Sequence, residues 1–439
     1  MTWLTNLWDR LKSALWFVPA LCLLAGLLLG VAGVWLEWAN PLPYDKQLSW
    51  LRTTASNSQM VLSALVGALM TVIGLVFSLT MVALSQTGAQ YGPRLIRIVI
   101  DSTRMQVILG AFIGTALFTL VVLRSITTPQ EGPAFVPHVS VLAAQLASIA
   151  CICLLVDFTS YIGRCLRAEY LIARVAGQLA SRPKHVYPRS ALPDEGERVI
   201  LGETDRFDGH IRLEVSAGGT GYLQAVDLGR LLKFAGKHDL LIDVPVRPGH
   251  FRAEHQVIAR VLEDGPAAAE LTDDRIVAEI RGCFILGSQR TPRQDPECAL
   301  MELTEMAVRA LSPGMNDPIT AINVVDNLSA NMAKLATVPL DANLIADAGD
   351  KVRLRVKGVG FPQLLDSCFH MLRQNSDDSV AVTCRLLEGL AMIAEATENT
   401  ENLQSLRGHA DRILRQAQAS FADPTDLADI AERHAAIKS

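Results

Sequence analysis

Between Arg52 and Arg94 the chain runs for 41 residues without a single charge. A membrane-spanning helix needs about 20 mostly apolar residues, so this run exceeds what a bilayer requires and far exceeds what a soluble core element uses. Three more uncharged runs accompany it: 24 residues between Lys12 and Glu37, 19 between Arg104 and Arg124, and 25 between Glu131 and Asp157. Four spans are expected, centred on residues 15–36, 60–84, 106–123 and 139–162. The first is too long in its apolar core, and too poor in small residues at its end, for a cleaved signal peptide. Only 19% of the 439 residues are charged, but the charges are unevenly placed. Residues 1–164 carry 9 Lys/Arg and 6 Asp/Glu, whereas residues 165–439 carry 31 and 39. The expected fold is an α-helical membrane domain with four transmembrane helices, then a cytoplasmic α+β lobe and a C-terminal helical lobe.

Basic residues set the orientation. Arg94, Arg97 and Arg104 lie between spans two and three, and Arg164, Arg167 and Arg174 follow span four, while the intervening loops are less basic. Arg10 and Lys12 place the N-terminus on the same side. Both termini and the soluble part are therefore expected in the cytoplasm. Trp3, Leu4, Leu7, Trp8 and Leu11 recur at helical spacing and read as an interfacial helix over residues 1–13. Eight scattered cysteines with no CxxC pair suit a reducing compartment rather than a disulfide framework. The acidic soluble half argues against nucleic-acid binding through bulk positive charge.

Span two carries the most information. Gly67, Thr71, Gly74, Ser78, Met81, Ser85 and Gly88 fall on one helical face, and all but Met81 are small or carry a small hydroxyl. Small residues let helices approach closely in lipid, so this stripe is either a helix-packing seam or the lining of a pore about a symmetry axis. The run ends in the polar segment Gln86 to Gln90 and then in Arg94 and Arg97, which would supply exit or vestibule charge. Gly26/Gly30 and Gly110/Gly114 form GxxxG pairs in spans one and three and signal close packing. Asp157 is an intramembrane carboxylate and a functional candidate by default. Its place near the cytoplasmic boundary favours satisfaction by Arg164 or Tyr161 over ion coordination.

The soluble half is expected to hold a mixed α/β lobe over 165–290 and a helical lobe over 291–439. Strand-like runs begin at His210, Gly221 and Leu240, and an amphipathic helix is expected over 227–237. From Asp295 onward the pattern reads as helical, with Asp295-Pro296, Asp317-Pro318 and Asp423-Pro424 as helix starts, since Asp caps free amides and Pro is tolerated at the first position. Arg309, Ser312, Asn316 and Asp317 crowd the turn between two helices, either as capping groups or as a ligand or interface loop. No catalytic constellation is recognised. GGTG at Gly218 lacks the Lys-Ser/Thr of a phosphate loop, and the His250–His255 string matches no zincin spacing. No metal or cofactor is therefore expected.

Longer strings add a resemblance. VALSQTGAQYGPRLI from Val82, RMQVILGAFIGT from Arg104, GYLQAVD from Gly221, VRPGHF from Val246 and RTPRQDPECALMELTEMAVRALSPGMNDPITAI from Arg290 together resemble the bacterial predicted membrane proteins of the domain-of-unknown-function 2254 family. The resemblance runs from span one to past Ile322 and implies several N-terminal spans in a bacterial inner membrane with a cytoplasmic domain, but no established activity. Where relatives tend to carry a histidine pair at the end of span four, this chain has Ser160 and Tyr161, so no histidine role carries over. Two functions follow as expectations. One is a homo-oligomeric ion channel or permeation pathway lined by span two. The other is a membrane-anchored sensor or scaffold whose cytoplasmic part binds a ligand or protein. A membrane-bound enzyme has the least support.

Overall fold

The computed structural model describes residues 16–40, 53–100, 102–127, 135–180, 188, 198–200, 205–262, 272–292, 294–338, 340 and 343–437. The interfacial helix expected over 1–13 lies outside them. The chain divides into two compact units, Met1–Leu171 and Ile172–Ser439.

Four helices of the first unit are long and apolar enough to cross a membrane: α1 (Phe17–Ala39), α2 (Ala55–Tyr91), α4 (Thr103–Ser125) and α5 (His138–Cys165). A short α3 (Ile96–Ile100) separates α2 from α4. The start of α2 is capped by the Thr54 side chain, which accepts the Asn57 amide. It ends at Gly92, whose φ of 114° is open to glycine, followed by Pro93, which cannot continue the amide ladder.

The GxxxG pairs of α1 and α4 meet. A side chain on Gly26 would collide with the Gly114 carbonyl, and one on Gly114 would lie 2.7 Å from the Cys22 carbonyl oxygen. These helices touch backbone to backbone, the close approach that small residues permit. Leu62, Leu69, Val76 and Ala83 are the buried apolar positions of α2, repeating every seven residues, and with buried Ser58, Thr80 and Thr87 they fix one packing face. Leu21, Leu28, Leu29, Ile149, Ile152 and Val156 are exposed, the outward apolar surface that lipid covers.

Both ends of the bundle are tied. At one end the Glu37 carboxylate accepts the Val139 and Ser140 amides, and the Gln59 side chain donates to the Ile126 carbonyl. At the other, the Tyr91 hydroxyl donates to the Leu166 carbonyl at 3.1 Å. Spans successive in sequence therefore alternate in direction. A cleft of about 770 Å³ opens between α1, α4 and α5, walled chiefly by small residues such as Gly26, Gly110 and Ala143.

Helix α6 (Ala168–Ala180) contains the boundary between the units. The second unit holds β1 (Arg198–Ile200), β2 (Ile211–Ser216), β3 (Gly221–Val226), α7 (Leu228–Lys237), β4 (Leu241–Val244), β5 (Phe251–Arg252), β6 (Val257–Leu262), α8 (Asp273–Arg281) and β7 (Phe284–Gly287). It continues through α9 (Pro296–Ala310), α10 (Pro318–Ala336), β8 (Leu344–Ala346), β9 (Val352–Val356), α11 (Phe361–Gln374), α12 (Val380–Glu395), α13 (Thr400–Ser420) and α14 (Pro424–Ala435). A six-stranded sheet runs β1-β8-β9-β4-β6-β2, and a three-stranded sheet runs β5-β3-β7. The apolar faces of α7 and α8, with Leu228, Leu231, Ile276 and Ile280, join Val215, Leu223, Ile242 and Val261 from the strands in one core.

One expectation is corrected here. The region from Asp295 onward is not uniformly helical: β8 and β9 leave it and enter the sheet between β1 and β4, with β9 parallel to β4. The two strands are three and five residues long, too short for periodicity to outweigh the surrounding turn residues. Their pattern is legible once paired. Leu354 and Val356 point into the core, while Arg353 bonds Asp347 and Asp239, and Arg355 bonds Asp243 at 2.8 Å. The three Asp-Pro starts behave as expected: Asp295, Asp317 and Asp423 accept the Cys298, Thr320 and Thr425 amides. Helices α10 and α12 pack so closely that a side chain on Gly389 would strike Ser329.

Candidate functional site

The α2 stripe lies directly opposite the buried face of its helix. At 100° per residue, Gly67, Thr71, Gly74, Ser78 and Ser85 cluster about half a turn from Leu62, Leu69, Val76 and Ala83. All five are exposed, and a side chain built on Gly67 or Gly74 would meet nothing within 4 Å. Among the described residues the stripe therefore packs on no helix of its own chain. The Thr71 hydroxyl donates to the Gly67 carbonyl at 3.0 Å, which satisfies the hydroxyl locally in the manner expected in lipid. Met81 interrupts the row, and a side chain built on Gly88 would lie 2.8 Å from the Ile96 side chain. At 37 residues α2 spans about 55 Å at 1.5 Å per residue, against a hydrocarbon core of about 30 Å.

Where α2 stops, the turn at Gly92 leads into Pro93–Leu95 and α3, which carry Arg94 and Arg97. Arg94 is exposed and Arg97 half-buried. Both stand just past the end of the stripe-bearing helix.

Asp157 has a partner other than the expected Arg164 or Tyr161. Arg104, from the first turn of α4, approaches it in a two-pronged pair, with Nε 2.9 Å from Oδ2 and Nη2 bonded to Oδ1. The sequence separates the two by 53 positions, so no local spacing announces the pair. The Arg104 guanidinium also lies over the Tyr161 ring, 5.7 Å from its centre, adding a cation–π contact.

The structure brings Arg309, Ser312, Asn316 and Asp317 together in one turn, and each has a local task. Arg309 pairs with Glu305 on its own helix, and the Ser312 hydroxyl donates to the Arg309 carbonyl at 2.6 Å. Asn316 takes a φ of 45°, and Asp317 caps α10 through the Thr320 amide and hydroxyl. The turn presents Met315 and Ile319 to the outside, the latter 78% exposed.

A buried ionic cluster joins two of the strings singled out in the sequence. Arg290 bonds Asp295 at 2.8 Å and Glu297 at 2.8 Å, and Arg247 reaches Glu297 at 3.2 Å. Burial raises the Asp295 carboxyl above its ordinary range despite Arg290. At Glu297, burial is outweighed by the bond from Arg290 and the charge of Arg247, and the carboxyl is lowered. Burial, then the charges of Arg247, Arg252 and Lys357, push His250 down to about 4. These opposed charges fasten the turn at Gly249, whose φ is 93°, to the start of α9. Burial also pushes the Cys368 thiol to about 11 and Cys283 to about 12, so both are protonated at neutral pH and poorly nucleophilic.

Comparisons with known proteins agree with this architecture. A family model described as a predicted membrane protein, DUF2254, matches residues 12–392. Uncharacterized proteins of Mycobacterium tuberculosis and Mycobacterium bovis are each 26% identical over 421 residues, covering 96% of this chain and 79% of theirs. No solved structure matches. With four bilayer-length helices at its start and a family match over most of its length, the chain belongs to the DUF2254 family of predicted membrane proteins.

Proposed function

We propose that the protein is a homo-oligomeric permeation pathway for small ions, lined by the α2 stripe of several copies around a shared axis. The observation that carries this reading is the exposed small-polar face of α2 opposite its packing face. Facing lipid alone, such a face gains little, because glycine and serine offer few dispersion contacts and leave backbone close to the surface. Facing copies of itself, it allows close approach and presents hydroxyl and carbonyl oxygens to an aqueous axis. The length of α2 supports the same reading, since it extends the lined path beyond the hydrocarbon layer. Arg94 and Arg97 would sit at its exit and attract anions. In this reading the second unit is cytoplasmic, following the basic loops, and forms the vestibule.

A second reading, a membrane-anchored sensor or scaffold, is favoured by the projecting turn with Met315 and Ile319, apolar side chains placed for a partner. Planar-bilayer recording separates the two. Purified protein is expected to give unitary currents that Ser78→Trp and Ser78→Leu reduce. Absence of currents over a range of voltage and pressure sinks the pathway and leaves the scaffold.

A further inference from the structure

Helices α11 and α13 run parallel and meet through successive polar rungs. Asp366 faces His409, His370 faces Arg412, and Arg373 faces Gln416. The first two rungs place three ligating side chains together. Asp366 and His370 are four residues apart, hence on one helix face, and α13 brings His409 to that face. His409 Nε2 is 2.8 Å from Asp366 Oδ1, and His370 Nδ1 is 3.5 Å from the same oxygen. The imidazole centres are 4.8 Å apart, and one donor atom from each of the three residues lies within 4.8 Å of the others.

An ion with bonds of about 2.0–2.2 Å holds neighbouring donors roughly 3–3.5 Å apart. Two of the three edges, at 2.8 and 3.5 Å, are already close to that length. The third closes by rotation of His370, whose side chain is partly exposed and able to move. The other histidine is fixed: His409 is 1% exposed, has Phe369 packed edge-on, and directs Nε2 to Asp366 while its Nδ1 has no hydrogen-bond partner among the described residues. One rigid buried donor backed by two solvent-reachable ones gives both a defined position and an entry path.

We propose that Asp366, His370 and His409 form a binding site for a divalent transition ion of the zinc class, gated by Arg412. Two imidazoles and one carboxylate suit zinc, cobalt or nickel better than magnesium or calcium, which prefer all-oxygen shells. Water completes the coordination on the open side. The gate follows from hydrogen positions. Arg412 Nη1 lies 2.6 Å from His370 Nε2, and a guanidinium only donates. Nε2 therefore accepts, and the His370 proton sits on Nδ1, toward Asp366. Ion binding takes the Nδ1 lone pair and shifts that proton to Nε2, which expels Arg412. The His409 proton moves likewise from Nε2 to Nδ1, so both rings stay neutral and no proton is released.

The test titrates cobalt(II) into the full chain in micelles, purified without a polyhistidine tag and followed by visible absorption. One saturable equivalent is expected, with nitrogen–oxygen ligand-field bands, no thiolate charge-transfer band, and displacement by zinc(II). H370Q and D366N are expected to weaken binding by about tenfold or more, whereas R412Q tightens it several-fold. No saturable binding, a purely thiolate signal, or folded H370Q and D366N that bind as before would overturn the proposal. R412Q keeps all three donors and decides alone if the other variants fail to fold: unchanged or weaker binding overturns the site as stated.

Discussion

The Glu37 carboxylate caps α5 across 103 positions of sequence, accepting the Ser140 amide at 2.8 Å and the Ser140 hydroxyl at 2.6 Å. Helix α5 has no side-chain cap of its own, because Pro137 occupies its cap position. A carboxylate at a helix N-terminus satisfies free amides and complements the helix dipole. Glu37→Ala is expected to destabilise the first unit by about 1 kcal/mol, with Glu37→Gln losing less. Thermal unfolding in micelles measures this, and an unchanged midpoint for Glu37→Ala contradicts it.

Two sets of glycines should respond differently to an added side chain. Gly26 and Gly114 have backbone where a side chain would go, whereas Gly67 and Gly74 have open space. Gly114→Leu is expected to separate α1 from α4 and cost roughly 1–3 kcal/mol or more. Gly67→Ala and Gly74→Ala leave the protomer's stability unchanged within about 0.5 kcal/mol. Parallel melts of the detergent-solubilised variants test the contrast.

The Arg104–Asp157 pair predicts a charge-swap result. Asp157→Arg alone places two cations at one site and lowers expression and detergent stability. Adding Arg104→Asp restores the pair in reversed order and recovers part of both. If the double variant is no better than the worse single one, the pair has no energetic role.

His250 ties stability to pH. Its folded value is lowered to about 4 by burial and by Arg247, Arg252 and Lys357, against the partial opposition of Glu297. Unfolded, it titrates near its ordinary value of about 6.5. Between these limits the unfolded chain binds the proton and the folded chain does not, so stability is full above 6.5 and falls as pH drops toward 4. His409 is also lowered, first by burial, and contributes in the same direction. His250→Gln is expected to flatten part of that slope in melts taken from pH 7 to 4.5, whereas an identical slope would remove His250 from the account.

The proposed α2 axis predicts cross-links. In a background with exposed Cys153 replaced by serine, Ser78→Cys should form inter-chain disulfides in membranes on mild oxidation. Cysteine at Leu69, on the buried face, should not.

How far the sequence revealed these features depended on the range of the interaction. The spans, the GxxxG contact and the three Asp-Pro caps were readable, since each rests on composition or spacing within one helix or on a small-residue pattern. The strands β8 and β9 were not, because their partners lie on β1 and β4, as in the pairing of Ile242 with Leu354. The partner of Asp157 was missed for the same reason, as proximity along α5 favoured Arg164. The Asp366–His370 spacing was visible as a four-residue step on a helix. Only the fold supplies His409, 39 residues further on, and without a third donor such a step has little meaning.

The position of the β8–β9 hairpin bears on how the protein is made. Among the described residues, strand β1 pairs only with β8, and β4 reaches β8 only through β9, so the middle of the six-stranded sheet is missing until the ribosome has passed Val356. By then α9 and α10 have emerged as well. Until that moment the nascent strand β4 presents an unpaired edge on the side away from β6, exposed to mispairing and to chaperones. A chain ended near residue 290 would keep that edge for good. The second unit is thus expected to mature late and in one step, with its strands waiting on the hairpin.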